Sequence, residues 1–335
     1  MEYRKLGDSG LRVSAVGLGT WAIGGWMWGG TEEKDAVDGI RAAVDAGINL
    51  IDTAPIYGFG LSEELVGKAI QGLRSKVVVA TKCGLVWHVD RGDFFFHSDE
   101  KHPTGQPSIL KVFRYLGPES IQHEVEQSLR RLQVECIDLY QTHWQESTTP
   151  IEDTMAILMK LKEQGKIRAI GVSNATVAQI ERYSAVGRVD SDQEKFSMLD
   201  RELETEQISY CRQRGISVLA YSPLALGLLT GKYGPDARFE EGDQRRNNPR
   251  FSPPALQKVN AMLNELRPIA ESNRVNLAQL VIAWTIAQPG VTVALVGARN
   301  PKQAAENAQA GRVRLATADL DAINHIVEKY RQQIP

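Results

Sequence analysis

The sequence has little of what marks a secreted, membrane-bound or nucleic-acid-binding protein. Its three cysteines, Cys83, Cys136 and Cys211, are too few and too far apart for a disulfide framework or a zinc site. No run approaches about 18 apolar residues, and the N-terminus lacks the pattern of a signal peptide. A net charge of -2 predicts no basic surface for nucleic acid or an anionic membrane. We therefore expect a cytoplasmic protein that acts on a small molecule.

No repeat, low-complexity tract or interdomain linker divides the chain. Its 335 residues, 42% of them hydrophobic and 24% charged, are enough to bury one large core. We therefore expect a single domain over residues 1–335.

Short apolar runs alternate with helical patterns along most of the chain, which is typical of repeated βα units. A turn at residues 8–10 predicts a β-hairpin before the first unit. The predicted strands are Ala15–Gly19, Asn49–Asp52, Val77–Lys82, Ile137–His143, Ala169–Ser173, Val189–Glu194, Ser217–Tyr221 and Thr292–Gly297. Eight such units predict an α/β fold, the (β/α)8 or TIM barrel.

Several helices and loops have readable limits. An apolar stripe predicts a helix over residues 118–132, and a last helix is expected at about residues 317–332. Thr149 is predicted to cap a helix in a capping box with Glu152, and Asn300 to cap another before Pro301. Two long connections, residues 83–117 and 224–254, are typical of functional loops at the C-terminal face of a barrel.

Polar residues close three of the predicted strands. Asp52 ends the second strand, Lys82 the third and His143 the fourth, and Tyr57 follows Asp52 in the next loop. Taken singly, each has an ordinary structural explanation. Because the catalytic groups of a TIM barrel lie at the C-terminal ends of its strands, we expect all four at one barrel mouth.

These four residue types suit the reduction of a carbonyl group. A phenol can donate a proton to a carbonyl oxygen, and a neighbouring ammonium lowers the phenol's pKa. A lysine held there needs a counter-charge, which Asp52 would supply. Our hypothesis is that Tyr57 is the proton donor, that Lys82 and Asp52 tune it, and that His143 orients the substrate.

Motifs along nearly the whole chain resemble the aldo-keto reductase family. They are VGLGTWAIGG, IDTAPIYGFG, ATK, DLYQTHW, IRAIGVSN, AYSPLALGLLTGKY and VGARNPKQAAEN. The chain looks most like the bacterial branch that contains general-stress and inositol-catabolism reductases. The resemblance implies a monomeric, NADP(H)-dependent reductase of aldehydes and ketones, and it matches the four residues above to the family's catalytic Asp, Tyr, Lys and His.

The resemblance also implies a dinucleotide lying across the barrel mouth without a Rossmann fingerprint, so the run at residues 17–22 is interpreted as an ordinary barrel loop. The residues implied at the nicotinamide end are Gly19, Thr20, Trp21, Asp52, Ser173, Asn174, Gln193 and Tyr221. Those implied around the pyrophosphate are Ser222, Leu224, Gly227, Leu228, Thr230, Gly231 and Lys232. A further cluster near the last strand comprises Gly297, Arg299, Gln303, Glu306 and Asn307.

The end of the eighth strand favours NADPH over NADH. Residues 297–301 lead into a helix N-terminus, which suits an adenosine 2'-phosphate, and Arg299 adds a permanently charged fork. Arg246, in the long loop, is a second candidate cation.

One run departs from the family pattern. Residues 192–196, Asp-Gln-Glu-Lys-Phe, put charge near the nicotinamide, where related chains are often more apolar. Either Glu194 or Lys195 points outward on the alternating strand, or one of them changes the surroundings of the nicotinamide.

Aromatic residues after the strands predict the substrate pocket, because apolar walls with a few polar groups are typical of small-ligand sites. The loop tryptophans are Trp21, Trp26, Trp28, Trp87 and Trp144. The predicted pocket comprises Trp21, Tyr57, Trp87, His143 and Trp144, whereas Trp284 is predicted to lie in the core. Such a pocket suits aromatic and medium-chain aldehydes, whereas the polar residues His88, Asp90, Arg91 and Asp93 suit a sugar.

Three alternative functions remain open. A polyol or aldose dehydrogenase would run the same hydride transfer toward oxidation. A cofactor-binding regulatory subunit, as in potassium-channel beta subunits, is disfavoured because the sequence begins almost at the hairpin. A metal-dependent hydrolase or lyase is disfavoured because Lys82 would repel a cation and few ligands are clustered, so we expect no metal.

Overall fold

The computed structural model describes residues 1–25, 28, 32–98 and 110–335. Their strands are β1 (Tyr3–Lys5), β2 (Arg12–Ser14), β3 (Val16–Gly19), β4 (Leu50–Asp52), β5 (Val78–Cys83), β6 (Leu85–Val86), β7 (Asp93–Ser98), β8 (Leu110–Arg114), β9 (Ile137–Thr142), β10 (Ile167–Ser173), β11 (Ser191–Lys195), β12 (Ser217–Tyr221) and β13 (Val291–Gly297).

The helices alternate with the barrel strands. They are α1 (Glu33–Asp45), α2 (Leu61–Ala69), α3 (Pro118–Leu132), α4 (Ile151–Glu163), α5 (Val177–Val186), α6 (Gln207–Arg214), α7 (Pro253–Ser272), α8 (Leu277–Ala287), α9 (Pro301–Ala310) and α10 (Thr317–Arg331). Short 3-10 turns lie at Arg74–Lys76, Glu202–Glu204, Ala225–Thr230 and Pro249–Phe251.

Eight of the described strands form a closed barrel in the order β3-β4-β5-β9-β10-β11-β12-β13, and each pair of neighbours is parallel. The predicted (β/α)8 barrel is therefore confirmed. Each predicted strand overlaps an observed one to within two residues at either end. The apolar signal located most of the strands well because parallel barrel strands are buried on both faces, although β11 is the polar run Ser-Asp-Gln-Glu-Lys.

The predicted N-terminal hairpin is present and closes the lower end of the barrel. β1 and β2 pair antiparallel, with Tyr3 opposite Ser14. Leu6, Leu11 and Val13 are buried against inward-facing side chains of the barrel strands, in a cluster that includes Leu50. The barrel is thus a filled core, and its open end is the C-terminal mouth.

A larger apolar core lies between the barrel and the surrounding helices. The predicted limits of α3 are correct, and Ile121, Val125 and Leu132 on its stripe are buried. Trp284 of α8 is 0% exposed, in agreement with its predicted place in the core.

Two local predictions need correction, and one is confirmed. Thr149 does not cap α4: the helix begins at Ile151 without a side-chain cap, and the Glu152 carboxylate instead binds Arg182 of α5 at 2.8 Å. Residues 83–117 are not simply a loop, since β6, β8 and β7 pair as an antiparallel sheet. Asn300 caps α9 as predicted, because its Oδ1 accepts a hydrogen bond from the Gln303 amide at 3.0 Å.

Candidate active site

The four predicted catalytic residues meet at the mouth of the barrel. Lys82 is fully buried at the end of β5, and its Nζ donates to Asp52 Oδ2 at 2.7 Å. The same ammonium donates to the carbonyl oxygen of Thr53 at 3.0 Å and to the hydroxyl of Tyr57 at 3.3 Å. An ammonium has three N–H donors, so these three acceptors account for all of them.

His143 contacts the tyrosine through its ring. Its backbone amide donates to Cys83 at 2.9 Å, and its ring meets the Tyr57 ring edge-on with centroids 5.8 Å apart. Only 9% of His143 is exposed. The imidazole and the phenol therefore border one small space at the top of the barrel.

Burial and charge set the protonation states in this space. Burial raises the pKa of Tyr57, and the lowering effect of Lys82 does not outweigh it, so the phenol is not acidified as the sequence suggested. The pKa of Lys82 is raised, because the attraction of Asp52 and Tyr57 exceeds the effect of burial. Burial and the nearby Lys82 lower the pKa of His143 well below its ordinary value. Near neutral pH the site holds a protonated phenol, an ammonium and a neutral imidazole.

Two glutamines inside the barrel complete the surroundings of Asp52. Gln193 Nε2 donates to Asp52 Oδ1 at 2.8 Å, and Gln141 Nε2 lies 3.3 Å from the same oxygen. The sequence interpretation missed Gln141. A signal was available, because Gln141 lies two residues before His143 on an alternating strand and so shares its face.

The predicted nicotinamide-binding residues gather at the ends of β10 and β12. Asn174 has a left-handed backbone, φ 53, and its Nδ2 donates to the carbonyl oxygen of His143 at 3.0 Å. The Tyr221 hydroxyl donates to Asn174 Oδ1 at 2.9 Å, and Ser173 Oγ lies 3.0 Å from Asn174 Nδ2.

Two further predicted residues lie at the end of β3. Thr20 donates from Oγ1 to the carbonyl oxygen of Asp52, at the end of β4, at 2.9 Å. Gly19 ends β3, paired with Asp52.

The loop after β12 has the backbone expected of an anion-binding turn. Ser222, Ala225, Leu226 and Gly227 all have positive φ, between 47 and 87. Left-handed residues turn successive amides toward one concave side, which suits phosphate oxygens. Thr230 Oγ1 donates to the carbonyl oxygen of Gly227 at 2.7 Å and closes the turn.

The remaining predicted pyrophosphate residues have different environments. Leu228 is 1% exposed, so its side chain belongs to the core. Leu224 is half-buried against that core, and Gly231, φ 73, ends the 3-10 turn. Lys232 is exposed, with its Nζ 5.7 Å from the Tyr233 ring centroid.

The cluster after β13 is organised around the start of α9. The Arg299 amide donates to Gln303 Oε1 at 2.9 Å, and Asn307 Nδ2 donates to the carbonyl oxygen of Gly297 at 3.1 Å. Arg299 Nη1 lies 3.4 Å from the carbonyl oxygen of Trp28. Glu306 faces Lys302 at 4.0 Å.

Arg246 is exposed, whereas the adjacent Arg245 is buried. Arg245 forms an ion pair with Asp243, and its guanidinium lies 5.0 Å from the ring centroid of Trp28 and 4.8 Å from that of Phe239. The sequence interpretation overlooked Arg245, because a pair of adjacent arginines does not reveal which one is buried.

The predicted pocket tryptophans lie around Tyr57. Trp21 stacks beside the tyrosine with centroids 6.2 Å apart. Trp87 packs edge-on against Phe59 at 5.2 Å, and Trp144 lies 5.8 Å from Phe95. Trp26 lies outside the described residues.

The polar residues considered for sugar binding mostly hold the loops together. Arg91 pairs with Glu119 at 2.8 Å, and Asp90 with Lys111 at 3.3 Å. His88 packs against His123 in a tilted arrangement with ring centroids 4.5 Å apart. Asp93 accepts from the amide of Ser147 at 3.0 Å, which ties β7 to the loop after β9.

Residues 194 and 195 have different environments: Glu194 is buried and Lys195 is exposed. Glu194 is 7% exposed, and its Oε1 accepts a hydrogen bond from the Ala175 amide at 2.9 Å. Lys195 is exposed at the strand end and pairs with Asp200 at 2.9 Å. Glu194 therefore points away from the barrel interior, on the side opposite Gln193.

In the part of the chain that the structure describes, no three His, Cys, Asp or Glu side chains gather as metal ligands do. Nor is any described helix long and apolar enough to cross a membrane. All three cysteines are free thiols.

Comparisons with known proteins agree on one family. Residues 15–328 match the aldo/keto reductase family. The chain is 40% identical to an NADH-specific methylglyoxal reductase from Escherichia coli, over 98% of this chain and 99% of that protein. It is also 40% identical to the solved glycerol dehydrogenase AKR11B4 from Gluconobacter oxydans, with a TM-score of 0.87 over 98% of this chain and 95% of that one. An aldo-keto reductase from Klebsiella pneumoniae, solved in complex with NADPH, is 26% identical with a TM-score of 0.72, over 99% and 96% of the two chains.

Proposed function

The chain belongs to the aldo/keto reductase family and is a nicotinamide-dependent oxidoreductase that acts on carbonyl and alcohol groups; we propose that Tyr57 is its general acid and NADPH its preferred cofactor. The observation that carries the proposal is the Lys82 ammonium, shared between Asp52 and the Tyr57 hydroxyl.

The hydrogen bond from Lys82 sets the direction of proton donation. Because the ammonium has no acceptor atoms, the Tyr57 oxygen must accept from it, and the phenolic proton is left to point elsewhere. We take the substrate space to lie beside the Tyr57 hydroxyl and its aromatic neighbours His143 and Trp21. A carbonyl oxygen in this space receives the proton from Tyr57.

The protonation states suit this role. Burial raises the pKa of Tyr57, so the phenol carries its proton at neutral pH, as a general acid must. Once that proton has left, the nearby Lys82 ammonium stabilises the phenolate. His143 is neutral and orients the carbonyl oxygen by donating one N–H.

The described residues fit a dinucleotide laid across the barrel mouth, and when bound its nicotinamide supplies the hydride. Ser173, Asn174 and Gln193 offer donors and acceptors to the carboxamide, and the half-buried Tyr221 ring offers a stacking surface. Because both neighbours of Gln193 Nε2 are acceptors, Asp52 and Gln141, its Oε1 is left for the carboxamide N–H. The left-handed turn at residues 222–227 suits the pyrophosphate.

The preference for NADPH rests on the start of α9. Helix N-termini attract anions, and Arg299 in the preceding turn presents a guanidinium suited to a phosphate. One relative binds NADPH and another is NADH-specific, so family membership alone does not set the preference. We assign it to Arg299.

The cluster that includes Tyr57 is apolar and half aromatic, which favours aromatic and medium-chain aldehydes over sugars. We further propose that residues 1–335 form one domain that acts as a cytoplasmic monomer, a compartment in which three free thiols stay reduced.

Exchanging Tyr57 for phenylalanine tests the proposal. Loss of NADPH absorbance with a panel of aromatic aldehydes, dicarbonyls, aldoses and inositols would be followed for wild type and Tyr57→Phe, with alcohols and NADP+ as the reverse reaction. We expect turnover to fall by about 10²–10⁴-fold, while the Kd for NADPH changes by less than about twofold. Tyr3→Phe, at the opposite end of the barrel, is the control. A Tyr57→Phe enzyme that kept more than about a tenth of the activity would exclude Tyr57 as the general acid.

A further inference from the structure

We propose that Glu194 is a positioning residue for nicotinamide binding: its carboxyl group, protonated and hydrogen-bonded to Asp192, holds the Asn174 turn that meets the carboxamide. The inference rests on the proposed function, because it takes the Asn174 turn to be part of the nicotinamide site.

Asp192 and Glu194 lie on the outer face of β11, on either side of the inward-facing Gln193. Asp192 is 0% exposed and accepts hydrogen bonds from Gln207 Nε2 at 2.7 Å and Cys211 Sγ at 3.6 Å, both on α6. Glu194 is 7% exposed and accepts from the Ala175 amide at 2.9 Å. Two carboxyl groups thus share one buried space.

The pair must hold a proton. Neither carboxyl group forms an ion pair within the described residues. The buried Asp192 Oδ1 accepts no hydrogen bond from a backbone amide or from an amide or hydroxyl side chain of those residues. Burial raises both pKa values, and the charge of Asp192 raises the pKa of Glu194 further. A hydrogen bond from Glu194 lowers the pKa of Asp192, so the proton lies on Glu194 and points to the Asp192 carboxylate.

The other oxygen of Glu194 stabilises a strained turn. Asn174, with φ 53, directly precedes Ala175, and a left-handed non-glycine residue persists only where its surroundings fix it. The Asn174 amide donates to the carbonyl oxygen of Gln193 at 3.3 Å, and the Ala175 amide donates to Glu194. Without Glu194, the Ala175 amide would be buried without a partner and the turn would relax.

The other titratable groups around the pair keep their protons. Cys211 faces it from α6 and Tyr221 from β12, and burial, then the nearby carboxyl groups, raise both pKa values. Gln207 is uncharged. Once Asp192 is ionised, Glu194 is therefore the next of these groups to lose its proton as the pH rises. The loss of that proton puts two negative charges into one buried space.

Three variants separate positioning from general structural support. Glu194→Gln keeps both hydrogen bonds, since its amide can accept from Ala175 and donate to Asp192. Glu194→Met removes both. Asp190→Ala is the matched control: Asp190 is buried near the lower end of the same strand and accepts from the Ile170 amide of β10 at 3.2 Å, far from the mouth.

The Kd for NADPH would be measured by fluorescence, together with kcat and both KM values, at about pH 7 and about pH 9.5. We expect Glu194→Met to raise the Kd and the cofactor KM about tenfold, with a smaller change in kcat, and Glu194→Gln to stay within about twofold of wild type. Asp190→Ala should lower stability without changing the Kd. Between the two pH values the wild-type Kd should rise more than that of Glu194→Gln.

If wild type failed to bind NADPH, the proposed function itself would be wrong. If wild type bound NADPH and Glu194→Met bound it equally well, or Glu194→Gln bound it as poorly as Glu194→Met, the positioning role would be refuted. If Glu194→Met did not fold, the pH dependence of wild type against Glu194→Gln would decide, and identical profiles would overturn the proposal.

Discussion

Replacing Lys82 with methionine would remove the buried cation at the barrel mouth while keeping most of the side-chain volume. The Lys82 and Asp52 side chains are 1% and 5% exposed, and the two groups are 2.7 Å apart. In Lys82→Met the Asp52 carboxylate would keep only its amide neighbours Gln141 and Gln193. Removing one partner of a buried ion pair costs about 3–5 kcal/mol, so we expect a loss of that size in the free energy of unfolding.

The double variant Asp52→Asn/Lys82→Met distinguishes this electrostatic cost from lost packing. With both charges gone no ion is left unpaired, so most of the stability should return relative to Lys82→Met. Urea unfolding of the wild type, both single variants and the double variant would give the coupling energy. Lys34→Met is the control, because Lys34 pairs with Asp38 on the surface with its side chain 85% exposed, and it should leave the free energy of unfolding close to that of the wild type.

Activity should not follow stability in this series. Both Lys82→Met and the double variant leave the Tyr57 oxygen without its ammonium donor, so both should lose carbonyl reduction even where the fold is restored. If Lys82→Met were as stable as wild type, or the double variant no more stable than Lys82→Met, the account of a mutually dependent buried pair would be wrong.

The remaining predictions concern the cofactor preference and a second buried acid. Arg299→Ala should raise the KM for NADPH by about 10- to 100-fold and leave the KM for NADH nearly unchanged. An equal rise in KM for the two cofactors would show that Arg299 does not bind the 2'-phosphate. Burial raises the pKa of Glu124 to about 8, so the folded chain retains a proton that the unfolded chain loses near pH 4.5. Wild-type stability should therefore fall between about pH 5 and pH 8, by up to about 1.4 kcal/mol per pH unit from this group. Glu124→Gln should remove that part of the slope in urea unfolding measured across the range, and an unchanged slope would contradict the assignment.

The fold was predictable because its signal repeats. Most of the parallel strands are short apolar runs that alternate with helices, and errors at single boundaries do not change the count. The exception is β11, whose sequence is Ser-Asp-Gln-Glu-Lys. The local failure at Thr149 has a different origin. The sequence shows that Glu152 stands three residues after a threonine, but not that Arg182 on the next helix offers the carboxylate a better partner.

Three of the predicted catalytic residues could be found from strand ends and Tyr57 from the loop that follows Asp52, whereas their protonation states could not be predicted. Sequence reasoning placed a cation beside Tyr57 and expected an acidified phenol. The outcome depends on depth of burial, which opposes the ammonium and raises the pKa of Tyr57. Burial likewise distinguishes Arg245 from Arg246, since adjacent residues of one type differ only in their three-dimensional surroundings.

Strand β11 links the two polar networks of this site. Its inner residue Gln193 binds Asp52, one of the four proposed catalytic residues, and its outer residue Glu194 binds the amide beside Asn174. The Gln193 carbonyl also accepts from Ser173 Oγ at 2.7 Å. Because neighbouring residues of one strand cannot move independently, a shift that separated Glu194 from the turn would also displace Gln193 from Asp52. We therefore infer that cofactor binding and the alignment of the proton donor depend on the same short strand.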